Sequence, residues 1–483
     1  MFLYKKKILF VLSVNFIFLL YLLSEYIVLL LMNDFYLKLI ELELLIVFIF
    51  SLFSIYYLVK DWFDLYIIFL GMLLIFLFAR PFIHLFGLLP MNNYNEGEWY
   101  RVKENFNFSN YTMIKINFIL LFSLVFLNLG YLIGLLKYRK FSFFEKSLKK
   151  SLLYIKKSKY LNKKIGYMFF YIGLIAFVIK VILYVEILHM YGYFYLYSGN
   201  YTLPYVVRIL DDFFYIGYYL IMVNFPSKRE GYIVSFIFIL FYSSLLLTGI
   251  RGEFFVMFLT VIWLLHFLYQ WKIKLWQILL IFVILILIAQ FAMAIKFSYA
   301  HIKFDLIYLI KNFLFSQGVT ILILGYFIEF HENFVDIYSG FRYIISPFVS
   351  IFYALTGQYK SRQEMIPTEI YSVGEVLEYF TDPEGYYRGA GTGSSFIAEL
   401  YGLGGDIFLI AIGCFLIGFF IAYLSKRLIF KRYGLFVSLF IIPIIFWIPR
   451  GGYVQPFQKF LFGWLFVICL ICIFEFFKIK GKK

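Results

Sequence analysis

Cysteine is nearly absent from this chain, with three in 483 residues. Cys414, Cys469 and Cys472 all fall inside apolar runs, so neither a disulfide framework nor a thiolate metal site is expected, even though the last two have C-x-x-C spacing. Histidine is almost as scarce, with five, and no H-x-x-x-H or H-E-x-x-H pattern joins any of them, which argues against a metal site. No strand followed by a glycine fingerprint announces a dinucleotide fold. No internal repeat of the kind common in transporters is visible. No small-residue cleavage site follows Lys5, Lys6 and Lys7, so the apolar run from Ile8 through Leu23 reads as a retained first helix, not as a cleaved leader.

What is abundant is apolar surface. Hydrophobic residues make up 63% of the chain, and mean hydropathy is +0.87. A soluble domain averages roughly 45–50% apolar, so the bilayer must solvate most of this one. In lipid every backbone polar group is paired within the fold, which leaves helices or closed barrels. The apolar stretches run to about twenty residues without alternation, which is the helical pattern and not that of barrel strands. The expected fold class is therefore an all-α polytopic integral membrane protein with about 12 transmembrane helices. The spans are placed at 8–31, 42–59, 62–79, 112–136, 165–188, 206–225, 231–249, 253–270, 275–295, 404–424, 434–449 and 457–477. Three regions follow. Residues 1–295 hold the first nine spans, 296–403 form a long external loop between the ninth and tenth, and 404–483 hold the last three spans and a basic tail.

The formal charge of +16 is a topology signal, and it points to no nucleic-acid partner. Well over half of the 44 Lys and Arg lie in every second gap between spans, and few of the 28 acids lie there. The positive-inside rule then puts those gaps and both termini in the cytoplasm. The most basic gap, 137–164, interleaves Lys and Arg with Leu148, Leu152, Leu153 and Tyr154. It reads as an interfacial helix on anionic lipid or as a topology anchor. The long external loop contains apolar stretches near 306–330 and 343–355. These are open to three readings: lying in the interface, re-entering the membrane, or forming one extra hairpin.

The outer face should be poor in Arg and Lys near the bilayer, yet Arg251, Arg388 and Arg450 sit there beside glycines. Their settings are Thr248-Gly249-Ile250-Arg251-Gly252-Glu253, Arg388-Gly389-Ala390-Gly391-Thr392-Gly393-Ser394-Ser395 and Ile448-Pro449-Arg450-Gly451-Gly452-Tyr453. A guanidinium offers a forked donor set that matches phosphate oxygens. The alternative is that each arginine snorkels to lipid phosphate or pairs with an acid such as Glu253. Arg80, at the start of the first external segment, belongs to the same class of residue. The glycines at 391 and 393, with Ser394 and Ser395, lead into an apolar helix carrying Glu399 and Tyr401, and such a turn can direct N–H groups toward an anion. Glu399 is a carboxylate in apolar surroundings, as are Glu186, Asp211 and Asp212 near other outer span ends. His84 and His331 are weaker candidates for a general base.

The stretch Gly391-Thr392-Gly393-Ser394-Ser395-Phe396-Ile397-Ala398-Glu399-Leu400-Tyr401-Gly402-Leu403-Gly404-Gly405 resembles the C-terminal signature of bacterial O-antigen polymerases of the Wzy type. The turn at Arg251 resembles the Arg-Gly-Glu turn that such proteins carry mid-chain, and Pro449-Arg450-Gly451-Gly452 is similar to their last external turn. The motif resemblance covers the C-terminal half, and the N-terminal half agrees in topology. It implies polymerisation of undecaprenyl-pyrophosphate-linked oligosaccharide repeat units on the outer face of the cytoplasmic membrane. The implied partners are that glycolipid, membrane lipids and a polysaccharide chain-length regulator, with no cofactor or nucleotide sugar. That chemistry suits the residues read above, with Arg251, Arg388, Arg450 and Glu399 expected as catalytic and Arg80, Glu253, Gly391, Gly393, Ser394, Ser395 and Tyr401 as substrate-binding. Two alternatives share the substrate: a flippase for the same glycolipid, and an O-antigen ligase-like glycosyltransferase.

The orientation is testable in intact cells. A cysteine replacing Ser158 is expected to be shielded from an impermeant thiol reagent, and one replacing Ser361 is expected to be labelled. Labelling at position 158 would invert the whole topology.

Overall fold

The structure is a computed structural model. It describes residues 2–28, 35–88, 93–94, 107–138, 163–192, 203–271, 273–297, 306–330, 373–388, 391, 393–405, 407–431 and 434–452, with a few single positions near 195 and between 345 and 356. Among the described residues nearly all are helical and no strand occurs. In chain order the helices are α1 (Phe2–Val28), α2 (Phe35–Val59), α3 (Leu65–Leu73), a π turn (Leu74–Phe78), α4 (Ala79–Leu85), α5 (Asn110–Tyr138), α6 (Lys163–Tyr191) and α7 (Tyr205–Val223). They continue with α8 (Lys228–Ser243), α9 (Arg251–Tyr269), α10 (Leu275–Phe297), α11 (Leu306–Gln317), α12 (Ile321–Glu329), α13 (Val373–Thr381), α14 (Pro383–Arg388), α15 (Phe396–Gly402), α16 (Ile407–Lys426) and α17 (Gly434–Gly451). Nine helices among the described residues are long and apolar enough to cross a membrane. The expected last span at 457–477, most of the 343–355 stretch, nearly all of the 137–164 loop and His331 lie outside the described residues.

The apolar runs form helices because no other open structure pairs their backbone, and they pack where side chains are smallest. α5 is the most buried span. It lies directly on α16, where a Cβ at Gly130 would strike the Phe415 carbonyl and one at Gly418 would strike the Leu127 carbonyl. The α6–α7 pair repeats the device, with Gly173 against the Phe214 backbone and Gly217 against Phe170.

Polar contacts sort the helix ends into two sets. At one end, Asp64 caps α3 through the Tyr66 N–H, accepts the Tyr131 hydroxyl at 2.8 Å and pairs with Lys426 at 2.6 Å. His266 of α9 reaches Asp61 at 2.9 Å. These residues adjoin the basic gaps. At the other end, His84 of α4 meets Glu41 of α2 at 2.7 Å. There Thr112 at the start of α5 donates to Glu329 at the end of α12, and Gly252 at the start of α9 lies against the Trp447 ring near the end of α17.

One boundary differs from the sequence reading, and one stretch that it left open takes a definite form. The third span was expected to end at 79, leaving Arg80 in an external segment. Instead the helix continues through a π turn to Leu85. Pro81 has no N–H to offer Leu77 in the α pattern, and the wide turn ahead of it absorbs that loss. The 306–330 stretch is one helix with a 3-10 turn at Gly318–Thr320. It is one of those nine helices by length and composition, and Gln317 and Glu329 within it both contact residues of the second end.

Gly418→Leu is expected to prevent the α5–α16 approach, at a cost of about 1–3 kcal/mol or more where the backbone cannot shift. The check is the thermal midpoint of the detergent-solubilised protein. An unchanged midpoint would show that the two helices separate freely.

Candidate functional site

At the second end of the bundle, segments far apart in sequence converge. Ser395 adopts extended backbone and caps α15 by accepting the Ala398 N–H at 3.2 Å. That fixes the first turn and places Glu399, only 3% exposed, beneath the preceding loop. Ser394 donates its hydroxyl to Glu399 Oε1 at 3.0 Å. Gly393 has φ +80°, which no β-carbon residue adopts without strain, and its own carbonyl packs against Gly374 of α13.

The end of α17 closes over this segment. A Cβ at Gly452 would fall on the Glu399 carboxylate, and Gly452 also has φ +65°. The Arg450 carbonyl lies 3.9 Å from where a Cβ of Gly393 would be. The second glycine of the Pro449-Arg450-Gly451-Gly452 turn is therefore required by the carboxylate that α15 delivers. Arg450 itself donates from Nη1 to Gln317 Oε1, and its guanidinium lies 5.4 Å from the Phe76 ring centre. The turn at Arg251 adjoins through Gly252, which has room for no side chain because Trp447 fills the space. Gly249, with φ +76°, ends the 3-10 turn after α8 and lets the chain reverse. Glu253, in the first turn of α9, is within electrostatic reach of Lys180 of α6, which pairs with Asp211 of α7.

The structure thus gathers Gly393, Ser394, Ser395, Glu399 and Arg450, with the Arg251–Glu253 turn alongside. It sets two expected residues apart from that group. Arg388 ends α14 on the surface, where its exposed guanidinium pairs with Glu384 at 3.1 Å. Arg80 is 1% exposed. It donates from Nη1 to the Tyr94 carbonyl and from Nε to the Phe315 carbonyl at 3.2 Å, with its guanidinium 4.1 Å from the Phe315 ring centre. Gly391 is exposed, with nothing within 4 Å of its Cβ position. Tyr401 is buried, and burial raises its phenol above the ordinary value, so it stays a neutral hydroxyl. Among the described residues no group of three or more His, Cys, Asp or Glu could hold a metal ion.

Three polar residues of this end escaped the sequence reading. Gln317 is the acceptor for Arg450, and its signal was an amide inside an apolar run. Lys115, one turn into α5, lies 5.6 Å from the Tyr401 ring centre. Lys180 sits mid-run in α6, and its spacing gave no hint of Asp211.

A model of the O-antigen polysaccharide polymerase Wzy family matches residues 7–483. No curated protein and no solved structure matches the chain.

The crowding of Gly452 against Glu399 makes a double-mutant prediction. Gly452→Ala is expected to destabilise the solubilised protein by about 1–3 kcal/mol. In a Glu399→Ala background the same change should cost clearly less, because the carboxylate is gone. Equal costs in the two backgrounds would show that only the backbone angle matters.

Proposed function

The chain belongs to the O-antigen polysaccharide polymerase Wzy family, and from that premise we propose that the Arg450, Glu399 and Ser394 cluster, with Arg251 beside it, is where its lipid-linked substrate reacts. The family assignment carries the activity: a multi-pass membrane protein that acts on lipid-linked oligosaccharide repeat units and joins them into O-antigen. Nothing in the fold or the match favours a flippase or a ligase.

The finer reading is as follows. The donor is a glycan on undecaprenyl pyrophosphate, presented at the outer face of the cytoplasmic membrane, with both termini of the chain inside. A sugar hydroxyl of the incoming unit attacks the anomeric carbon of the growing chain. The bond from that carbon to the pyrophosphate oxygen breaks, and its electron pair leaves with the lipid pyrophosphate. Charge grows on the departing oxygen, which is where fixed donors help most. Arg450 and Arg251 supply such donors, and the Gln317 contact limits the rotamers open to Arg450. Glu399 orients the segment through Ser394 and sits against Gly452, a placement that suits positioning better than proton transfer. Arg80, Glu253, Gly393, Ser395 and Tyr401 buttress this centre, Arg388 and Gly391 lie at the surface outside it, and a chain-length regulator is the protein partner the reading expects. The observation that carries the proposal is the convergence of the Arg450 turn and the Glu399 helix, which the sequence holds as separate motifs.

Arg450→Ala and Arg251→Ala are each expected to abolish long polymer while the protein stays in the membrane. Lysine at either position should restore only part, because a point charge cannot make two parallel bonds. Glu399→Gln should keep some polymer and Glu399→Ala less. The readout is the polysaccharide ladder of a strain whose own copy is deleted. A full ladder from both alanine variants of the arginines would remove them from the centre.

A further inference from the structure

Two of the arginine turns carry the same dipeptide, Arg251-Gly252 and Arg450-Gly451. Both glycines are helical, Gly252 in the first turn of α9 and Gly451 at the end of α17, and neither has the positive φ that would demand glycine. Glycine weakens a helix, so another constraint must keep it at both positions. That constraint is one side chain. A Cβ at Gly252 would strike Cζ3 and Cη2 of Trp447, the benzene edge of the indole. A Cβ at Gly451 would strike Nε1 and Cδ1 of the same ring, its pyrrole edge. The ring is therefore wedged between the two backbones, and the turns stand one indole apart.

The pyrrole edge lies at the centre itself. Gly451 is followed by Gly452, whose Cβ position is taken by the Glu399 carboxylate. It is preceded by Arg450, which Gln317 and Phe76 flank. Nε1 thus adjoins the turn where the arginine and the carboxylate meet. Trp447 is only partly buried, and its N–H has no hydrogen-bond partner among the described residues. An indole N–H in a packed place ordinarily finds an acceptor. Indole donates and does not accept, so the group it would serve carries lone pairs or negative charge. A tryptophan that merely marks the membrane interface keeps its ring among lipid headgroups. Such a ring needs no glycine in two helices to clear it.

We infer that Trp447 is a further catalytic residue of the polymerisation: its ring fixes the separation of the Arg251 and Arg450 turns, and its N–H is a donor for an oxygen of the lipid pyrophosphate. This rests on the reading that those arginines hold that group. In the step itself, the acceptor oxygen bonds the anomeric carbon and loses its proton to water. The old carbon–oxygen electron pair moves onto the pyrophosphate. A neutral donor fixed there beforehand gains strength as that charge grows. Its contribution therefore falls on the maximal rate more than on ground-state binding.

The test uses membranes carrying the full-length chain and its lipid-linked repeat unit, with polymer formed per unit of folded chain as the readout. Benzothienylalanine at position 447 keeps the shape of the ring and puts sulfur in place of the N–H. It is expected to lower the maximal rate at least about tenfold, with little change in the apparent KM for the glycolipid. Gly252→Ala is expected to lower the rate in the natural chain, because the new methyl displaces the indole. In a Trp447→Phe background, where the smaller ring leaves room, the same change should cost clearly less. A wild-type rate from the sulfur analogue overturns the inference, as does loss of its folded chain, which assigns the ring to the fold. A raised KM at an unchanged maximal rate overturns it too, and gives the N–H to a sugar hydroxyl bound equally before and during the reaction. Equal costs of Gly252→Ala in the two backgrounds overturn the spacing role. Failure of the polymerase reading shows differently: wild-type membranes would then form no polymer, or Arg450→Ala would form it in full.

Discussion

A guanidinium buried among apolar helices organises this end of the molecule. Arg80 stands among the largest fully buried side chains of the described residues. Removing such a charge from water costs several kcal/mol, so its donors must be met. The Tyr94 and Phe315 carbonyls meet two of them, and hydrogen bonds from charged donors contribute about 1.5–3 kcal/mol each. Both acceptors are backbone atoms, so the arginine holds chain segments, not rotamers. On one side the held segment carries Tyr94, whose hydroxyl reaches Glu41. On the other it carries Gln317, which receives Arg450, while Gly318 leaves room for the arginine stem.

Close backbone approach does the remaining work. In lipid, apolar side chains gain little by leaving their surroundings, so helices that must stay together do so by fitting. Gly130 and Gly418 seat α5 on α16, and Gly173 and Gly217 seat α6 on α7. The same principle acts at the centre, where Gly452 exists to clear a carboxylate and Gly252 to clear an indole. Glycine in this chain marks contact with something rigid at least as often as it marks a bend.

The sequence shows the spans plainly, because period and length are local properties. It shows the three arginine turns too, because charge beside glycine at a span end is locally anomalous. It does not show which of those turns meet. Arg388 carries the same local signature as Arg450, yet Glu384, four residues earlier on the same short helix, takes its charge at the surface. Arg80 looked external because the third span was placed at 62–79, and the π turn that carries the helix past that point leaves no compositional trace. Gln317 and Lys180 were invisible because their partners are 133 and 31 residues away. What local pattern supplies is legible, and what only pairing supplies is not.

The π turn at Leu74–Phe78 has a consequence in genetic terms. Such a turn is the imprint of one residue more than an α-helix of the same rise would hold. Asp64 anchors α3 to Lys426 below it, and Arg80 anchors α4 above it. Losing a single codon between those anchors would leave hydropathy and span length almost untouched. Lost from the turn itself, that residue lets the bulge close to a regular α-helix with both flanks in place, whereas in a helix without a bulge the same loss would rotate everything beyond by about 100°, one residue's share of a 3.6-residue turn. The bulge is therefore the place where this helix can change its count by one without turning Arg80 away from its carbonyls.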